Sequence, residues 1–169
     1  MKSIYLAGSV TGLSHYEVSI WRSLATENLN GYYDILDPLS NSLCLENVES
    51  IDRNLYKTNL DNHSIFYSCL SILDKTDIIL LNLLTGYSPV IFWLIGYIYS
   101  KNHYLQEPKL LYIIGDEAVK DFSFIDQRIH INMYGKLVIY NVFNSLQECV
   151  DSLIKLHKKE NKLFPYDYL

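Results

Sequence analysis

The sequence predicts an α/β fold, a parallel sheet covered by helices on both faces. Three observations carry that expectation. Short apolar runs alternate with segments of helical period along the chain, the pattern of strand–helix–strand units. Residues 78–84 are apolar at almost every position, as a central parallel strand buried on both sides requires. From Ile78 to Ser100 there is no charged side chain, yet Thr85-Gly86-Tyr87-Ser88-Pro89 interrupts the stretch with turn chemistry. A membrane span needs about 20 continuous apolar residues. The stretch therefore reads as buried strand, tight loop and buried helix, and no membrane partner is expected.

The elements follow in order. Ser3 to Ala7 is a short apolar strand ending in Gly8. Ser14-His15-Tyr16-Glu17 fits a capping box, with Ser at the N-cap and Glu at N3. Helical spacing then places Val18, Trp21, Leu24, Ala25 and Leu29 on one face, and Gly31 ends the helix. Tyr33 to Leu36 is the second strand, closed by Asp37-Pro38. Residues 39–61 form a long polar connection in which Val48, Ile51 and Leu55 suggest a short helix. Ile65, Phe66, Cys69, Leu70 and Leu73 mark a firmer one. Asp77 to Leu83 is the third strand. Ser88 suits an N-cap and Pro89 a first helical position, which starts a helix reaching about Asn102. Leu110 to Ile114 is the fourth strand. Residues 116–135 are irregular, with an extended piece around Arg128 to Asn132. Leu137 to Val142 is the fifth strand. Ser145-Leu146-Gln147-Glu148 is a second capping box, opening a helix through about Lys158. The aromatic tail, Leu163 to Leu169, is expected to dock on the surface or on a partner subunit.

Five such strands suit one flavodoxin-like domain over residues 1–169, a three-layer sandwich with strand order 2-1-3-4-5. Its switch point lies between strands one and three, and ligands bind beyond the carboxyl ends of the strands there. That brings the Gly8 loop, the loop from Asn82 to Ser88 and the start of the Pro89 helix around one crevice.

Bulk properties narrow the function classes. The chain has 169 residues, 49% hydrophobic and 20% charged, with a net charge of −5. It carries no global field for nucleic acid or an anionic membrane, so neither is expected as a partner. Cys44, Cys69 and Cys149 share no CxxC spacing and read as reduced thiols of a cytoplasmic protein. Met1-Lys2 runs straight into a strand, so no signal peptide is expected. The five histidines, His15, His63, His103, His130 and His157, lie apart with no ligand spacing; no metal and no cofactor is expected. A hydrolase elbow of the form GxSxG is absent.

Two segments carry ligand chemistry. Ala7-Gly8-Ser9-Val10-Thr11-Gly12 lets backbone approach a ligand through its glycines, although it is neither a P-loop nor a GxGxxG fingerprint, and a plain tight turn explains it equally well. Ser88-Pro89 opens a helix whose free N–H groups favour an anion such as phosphate, and Ser88 also serves simply as a cap. Gly8, Ser9, Asn82 and Ser88 are the ligand-binding candidates on this reading.

Ile4-Tyr5-Leu6-Ala7-Gly8, Trp21-Arg22, Asp37-Pro38 after strand two, Asp74 to Asp77 before an apolar strand, Trp93-Leu94-Ile95-Gly96-Tyr97 and Asn132-Met133 together resemble the nucleoside 2-deoxyribosyltransferase family over nearly the whole chain. The resemblance implies a five-stranded parallel sheet and an enzyme that breaks the N-glycosidic bond between a base and 2-deoxyribose. It implies a glutamate nucleophile on the helix after strand three, trapping an oxocarbenium-like sugar. It also implies a homodimer or larger assembly, with Asn132 reaching a neighbouring subunit's site. Leu94 stands where that glutamate is expected. Residues 84–88 hold no carboxylate either, and none lies between Asp77 and Glu107.

Three readings stay open. The chain binds a nucleoside, nucleotide or related ribosyl small molecule without the family's nucleophile. Alternatively it is an active deoxyribosyltransferase or N-glycoside hydrolase with a relocated carboxylate, Glu17 or Asp37 first, Glu46 or Glu49 next. Glu17 has capping and Asp37 has a turn as a competing role. In the third reading Tyr87, Phe92 and Trp93 fill the crevice and the chain is structural.

Overall fold

The computed structural model describes residues 1–10, 12–39, 69–86, 89–104, 109–116 and 138–163. Five strands, β1 (Ser3–Gly8), β2 (Asp34–Leu36), β3 (Ile78–Asn82), β4 (Leu110–Ile114) and β5 (Val138–Phe143), form one sheet in the order β2-β1-β3-β4-β5. Every pairing is parallel. This is the flavodoxin-like order expected from the alternation of elements. Three helices, α1 (His15–Leu29), α2 (Pro89–Tyr104) and α3 (Leu146–Leu163), accompany it. Residues 69–74 are also helical, within the predicted element that begins at Ile65.

Alternation along the strands sorts side chains into two cores. On one face Tyr5, Ala7, Ile79, Leu81, Leu111 and Ile113 pack with Leu73 and with Ile91, Leu94, Ile95 and Ile98 of α2. On the other, Ile4, Leu6, Ile78, Leu80, Tyr112 and Ile114 pack with Trp21, Ala25 and Leu29 of α1 and with Cys149, Val150 and Leu153 of α3. Both faces are covered, so all five residues of β3 are buried. The uncharged stretch 78–100 divides as its sequence suggests. Gly86 takes φ +108° in the loop between β3 and α2, a conformation that favours glycine. Among the described residues no helix is long and apolar enough to cross a membrane.

Local chemistry fixes the ends. Ser14 caps α1, and the reciprocal bonds with Glu17 are both present. At α3, Ser145 Oγ accepts from the Glu148 N–H at 3.2 Å, while Glu148 returns to the Asn144 N–H, one residue further back than a standard box. Asp77 Oδ2 accepts from the Ser3 N–H at 2.7 Å and from its hydroxyl at 2.9 Å, fastening the start of β1 to the approach to β3. Asn102, fully buried, donates to the Lys109 carbonyl and accepts from the Lys109 N–H, each at 2.9 Å. One side chain thus closes the α2–β4 connection.

The structure corrects one core assignment. Leu24 is 43% exposed, and Arg22, at 3%, occupies the buried face of α1. Arg22 lies about 40° from Val18 on the helical wheel, next to Leu29, whereas Leu24 is about 120° away from Val18 at 3.6 residues per turn. Strand two is shorter than expected, since Tyr33 only bridges to Asn30. Helix α3 runs five residues past Lys158. The expected helix around Val48 to Leu55, the extended piece 128–132 and the tail beyond Leu163 lie outside the described residues.

Candidate functional site

The carboxyl ends of β1, β3 and β4 are level, with Gly8 opposite Asn82 and Asn82 opposite Ile114. Here Gly8 is explained first by packing. A Cβ at that position would sit 2.9 Å from Trp21 Cζ2 and 3.3 Å from the Asn82 carbonyl oxygen. The glycine lets the indole of α1 lie against the end of the strand. Nε1 belongs to the same edge of the indole as Cζ2, so the ring's one N–H sits near this strand end. That N–H is buried and makes no hydrogen bond. Ser9, 4% exposed, follows directly.

Arg22 organises the neighbouring ground. Its guanidinium lies over the Trp21 ring, 4.4 Å from the centroid. Nη1 donates to the Val18 carbonyl at 2.6 Å and Nη2 reaches the Gly8 carbonyl at 3.5 Å. Nε stands 3.4 Å from Asp37 Oδ1 but makes no hydrogen bond. Burial lowers the Arg22 pKa, and Asp37 opposes that shift. Burial also raises the Asp37 carboxyl above its ordinary range, against the Leu39 N–H and the Arg22 charge, which favour ionisation. The Leu39 N–H donates to Asp37 Oδ1 at 3.0 Å, the turn role expected of an Asp before Pro38. Sequence reasoning placed Asp37 here but not Arg22 as its partner. The available signal was a lone cation at a position the apolar period of α1 reserves for the core.

Glu17 is differently placed. Its carboxylate is exposed and accepts from the Ser14 N–H at 2.8 Å and hydroxyl at 2.6 Å. These bonds lower its pKa and commit it to the cap.

The loop after β3 is held by its own backbone. Asn82 Oδ1 accepts from the Leu84 N–H at 3.0 Å, the Leu83 N–H donates to the Ile114 carbonyl at 2.8 Å, and the Gly86 N–H donates to the Leu83 carbonyl at 3.1 Å. Asn82 is 4% exposed, so its amide oxygen shapes the loop. Thr85 Oγ1 is buried with no hydrogen bond. Leu94 packs in the apolar core beside Leu81, Leu83, Ile91 and Ile95. Phe92 and Trp93 are 41% and 42% exposed. Trp93 stacks on Tyr97, whose hydroxyl donates to Asp74 at 2.7 Å. Tyr87, Ser88, Asn132, Glu46 and Glu49 lie outside the described residues.

Gly8, Ser9 and Asn82 are therefore brought together, with Trp21, Arg22 and Asp37 alongside. A cleft of about 450 Å³ opens beside Arg22 and Asp37, between α1 and the chain leaving β2. No group of metal-ligating side chains occurs among the described residues. Burial pushes the Cys149 thiol up to about 12, which keeps it un-ionised and unreactive as a nucleophile.

No protein-family model matches the chain, and no curated protein matches it significantly. Among solved structures it is similar to a conserved protein from Enterococcus faecalis V583, with a TM-score of 0.58 and 14% identity, over 92% of this chain and 99% of that one. At that identity the likeness establishes the fold alone.

Proposed function

We propose that the chain binds a nucleoside, nucleotide or related ribosyl ligand at the carboxyl ends of β1 and β3, and that it lacks a covalent nucleophile there. One observation carries this reading. Trp21 Nε1 and Thr85 Oγ1, on the two elements that follow β1 and β3, are buried without a hydrogen bond. An unpaired buried polar group costs about 1–3 kcal/mol, and native chains retain few. Two at a topological switch point support a ligand that pairs them. The ligand class rests on the resemblance of Ile4 to Gly8, Trp21-Arg22, Asp37-Pro38 and Trp93 to Tyr97 to the nucleoside 2-deoxyribosyltransferase family. Leu94, buried among aliphatic side chains, supports the absence of the family's nucleophile. The test is a panel of nucleosides and mononucleotides, read by thermal shift and by base release. Stabilisation without release is expected, and no stabilisation by any member would refute the reading. The resemblance also supports a homodimer or larger assembly, checked by light scattering.

A second reading has its own observation. Asp37 carries a raised pKa beside Arg22, and a carboxyl so tuned suits acid–base work at a glycosidic bond. In that case the unmodified protein releases base and Asp37→Asn does not.

A further inference from the structure

We propose that the cleft between α1 and the end of β2 is a second small-molecule site, separate from the switch-point crevice, and that it takes a neutral polyhydroxylated ligand of sugar size. Its volume, about 450 Å³, falls within the range of small-ligand pockets, roughly 300–1,000 Å³. The inference stands independently of the nucleoside reading.

Charge decides the class. One wall of the cleft carries Arg22 and Glu27 from α1, and the other carries Asp37. The lining holds one guanidinium, 3% exposed, and two carboxylates, so a ligand charge of either sign faces both attraction and repulsion, whereas neutral hydroxyls pair with groups of both signs. The wall also presents hydroxyls, from Ser19, Ser23 and Thr26. They recur at about one-turn intervals, so they share a flank of α1. Ser19 Oγ donates to the His15 carbonyl at 2.8 Å, so its lone pairs are what remain for a ligand. Carboxylates only accept, a guanidinium only donates, and a hydroxyl does both. A ligand bearing several hydroxyls can therefore serve every group in the cleft at once.

The rest of the lining suits the same class. Val18, Ile35 and Leu39 provide apolar surface, against which the C–H face of a sugar ring can lie. Ile35 and Asp37 alternate at the end of β2, and the turn after Asp37 brings Leu39 to the same lining. The Arg22 Nε makes no hydrogen bond although Asp37 Oδ1 stands 3.4 Å away.

Amide chemical shifts of isotope-labelled protein, titrated separately with ribose, ribose 5-phosphate and 1,4-diaminobutane, test this. Ribose is expected to shift the amides of Ser19, Ser23 and Thr26 saturably, with each charged probe binding roughly tenfold more weakly or worse. Ser23→Trp, at an exposed position on the cleft wall, should abolish those shifts while the melting midpoint holds. Thr26→Trp serves the same purpose if the first variant misfolds. The proposal is overturned if ribose leaves these amides unmoved or moves only those of Gly8 and Asn82. It is equally overturned if binding survives filling of the cleft, or if a charged probe binds as tightly.

Discussion

A methyl group on Gly8 would come within 2.9 Å of the Trp21 ring, and an indole wedged between a strand end and a guanidinium has little room to retreat. Gly8→Ala should cost about 1–3 kcal/mol, as overpacking does, seen as a lower denaturant midpoint. Arg22 and Asp37 yield a prediction with a pH signature. Arg22→Met keeps much of the packing but removes the guanidinium from a half-buried carboxylate. Fully buried pairs lose ~3–5 kcal/mol when broken, and the residual exposure of Asp37, 15%, reduces that to about 2. The Asp37 pKa is already raised by burial, and losing Arg22 raises it further. A carboxyl with a raised folded-state pKa contributes stability below its ordinary value and loses it as pH rises through the raised one. The deficit of Arg22→Met should thus be largest at neutral pH and shrink toward pH 4 (roughly the unfolded carboxylate value). Urea melts at both pH values would show it, and a pH-independent deficit would contradict the pairing. In the sequence a glycine after a strand suits ligand approach and a plain tight turn equally; only the position of Trp21 reveals the packing demand.

Elements were legible where one signal dominated. The cap of α1 followed from Ser14 and Glu17 alone, and β4 from five apolar residues between polar neighbours. Ends without punctuation were less so. Helix α3 continues through Glu160, Asn161 and Lys162 because Glu and Lys are good helix formers and no Gly or Pro intervenes. Leu24 was assigned to the core because it is apolar, although its angle on the helix favours solvent. Two tests belong to this scale. Glu17 has a lowered pKa from its bonds to Ser14, so its contribution is present above the ordinary glutamate value and is lost as pH falls through the lowered one. The stability gap between the wild type and Glu17→Gln should accordingly close in acid. Asn102→Ala would leave the Lys109 N–H and carbonyl without their shared partner. About 2 kcal/mol should be lost, with faster proteolysis between α2 and β4; an unchanged midpoint would show that other groups close the connection.

At the scale of the whole molecule, the sheet order was readable because β3 is apolar on both faces and parallel strands need crossovers that carry helices. The location of a switch point came with that order. The chemistry did not, because the side chains that surround it, Trp21 and Arg22, come from a helix face that sequence pattern assigns to packing. Leu94 joins the two questions. It is 9% exposed in an aliphatic cluster, so it is part of the core as well as the residue at the resembled nucleophile position. On the nucleoside reading proposed above, the unmodified protein is expected to show no base exchange, since absence of a covalent nucleophile removes roughly 10⁴-fold or more of the rate. Leu94→Glu should not restore it. The new carboxyl would sit against Leu81, Leu83, Ile91 and Ile95, where desolvation raises its pKa and keeps much of it protonated. Replacing packed leucine with a polar group there should cost about 3 kcal/mol at neutral pH. By the same linkage that cost should ease in acid, as the raised carboxyl takes up its proton. Melting curves at two pH values and a base-exchange assay on both proteins test the argument. Ready exchange by the unmodified chain would mean that a carboxylate other than one at position 94 does the chemistry, and loss of that exchange in Asp37→Asn would identify it.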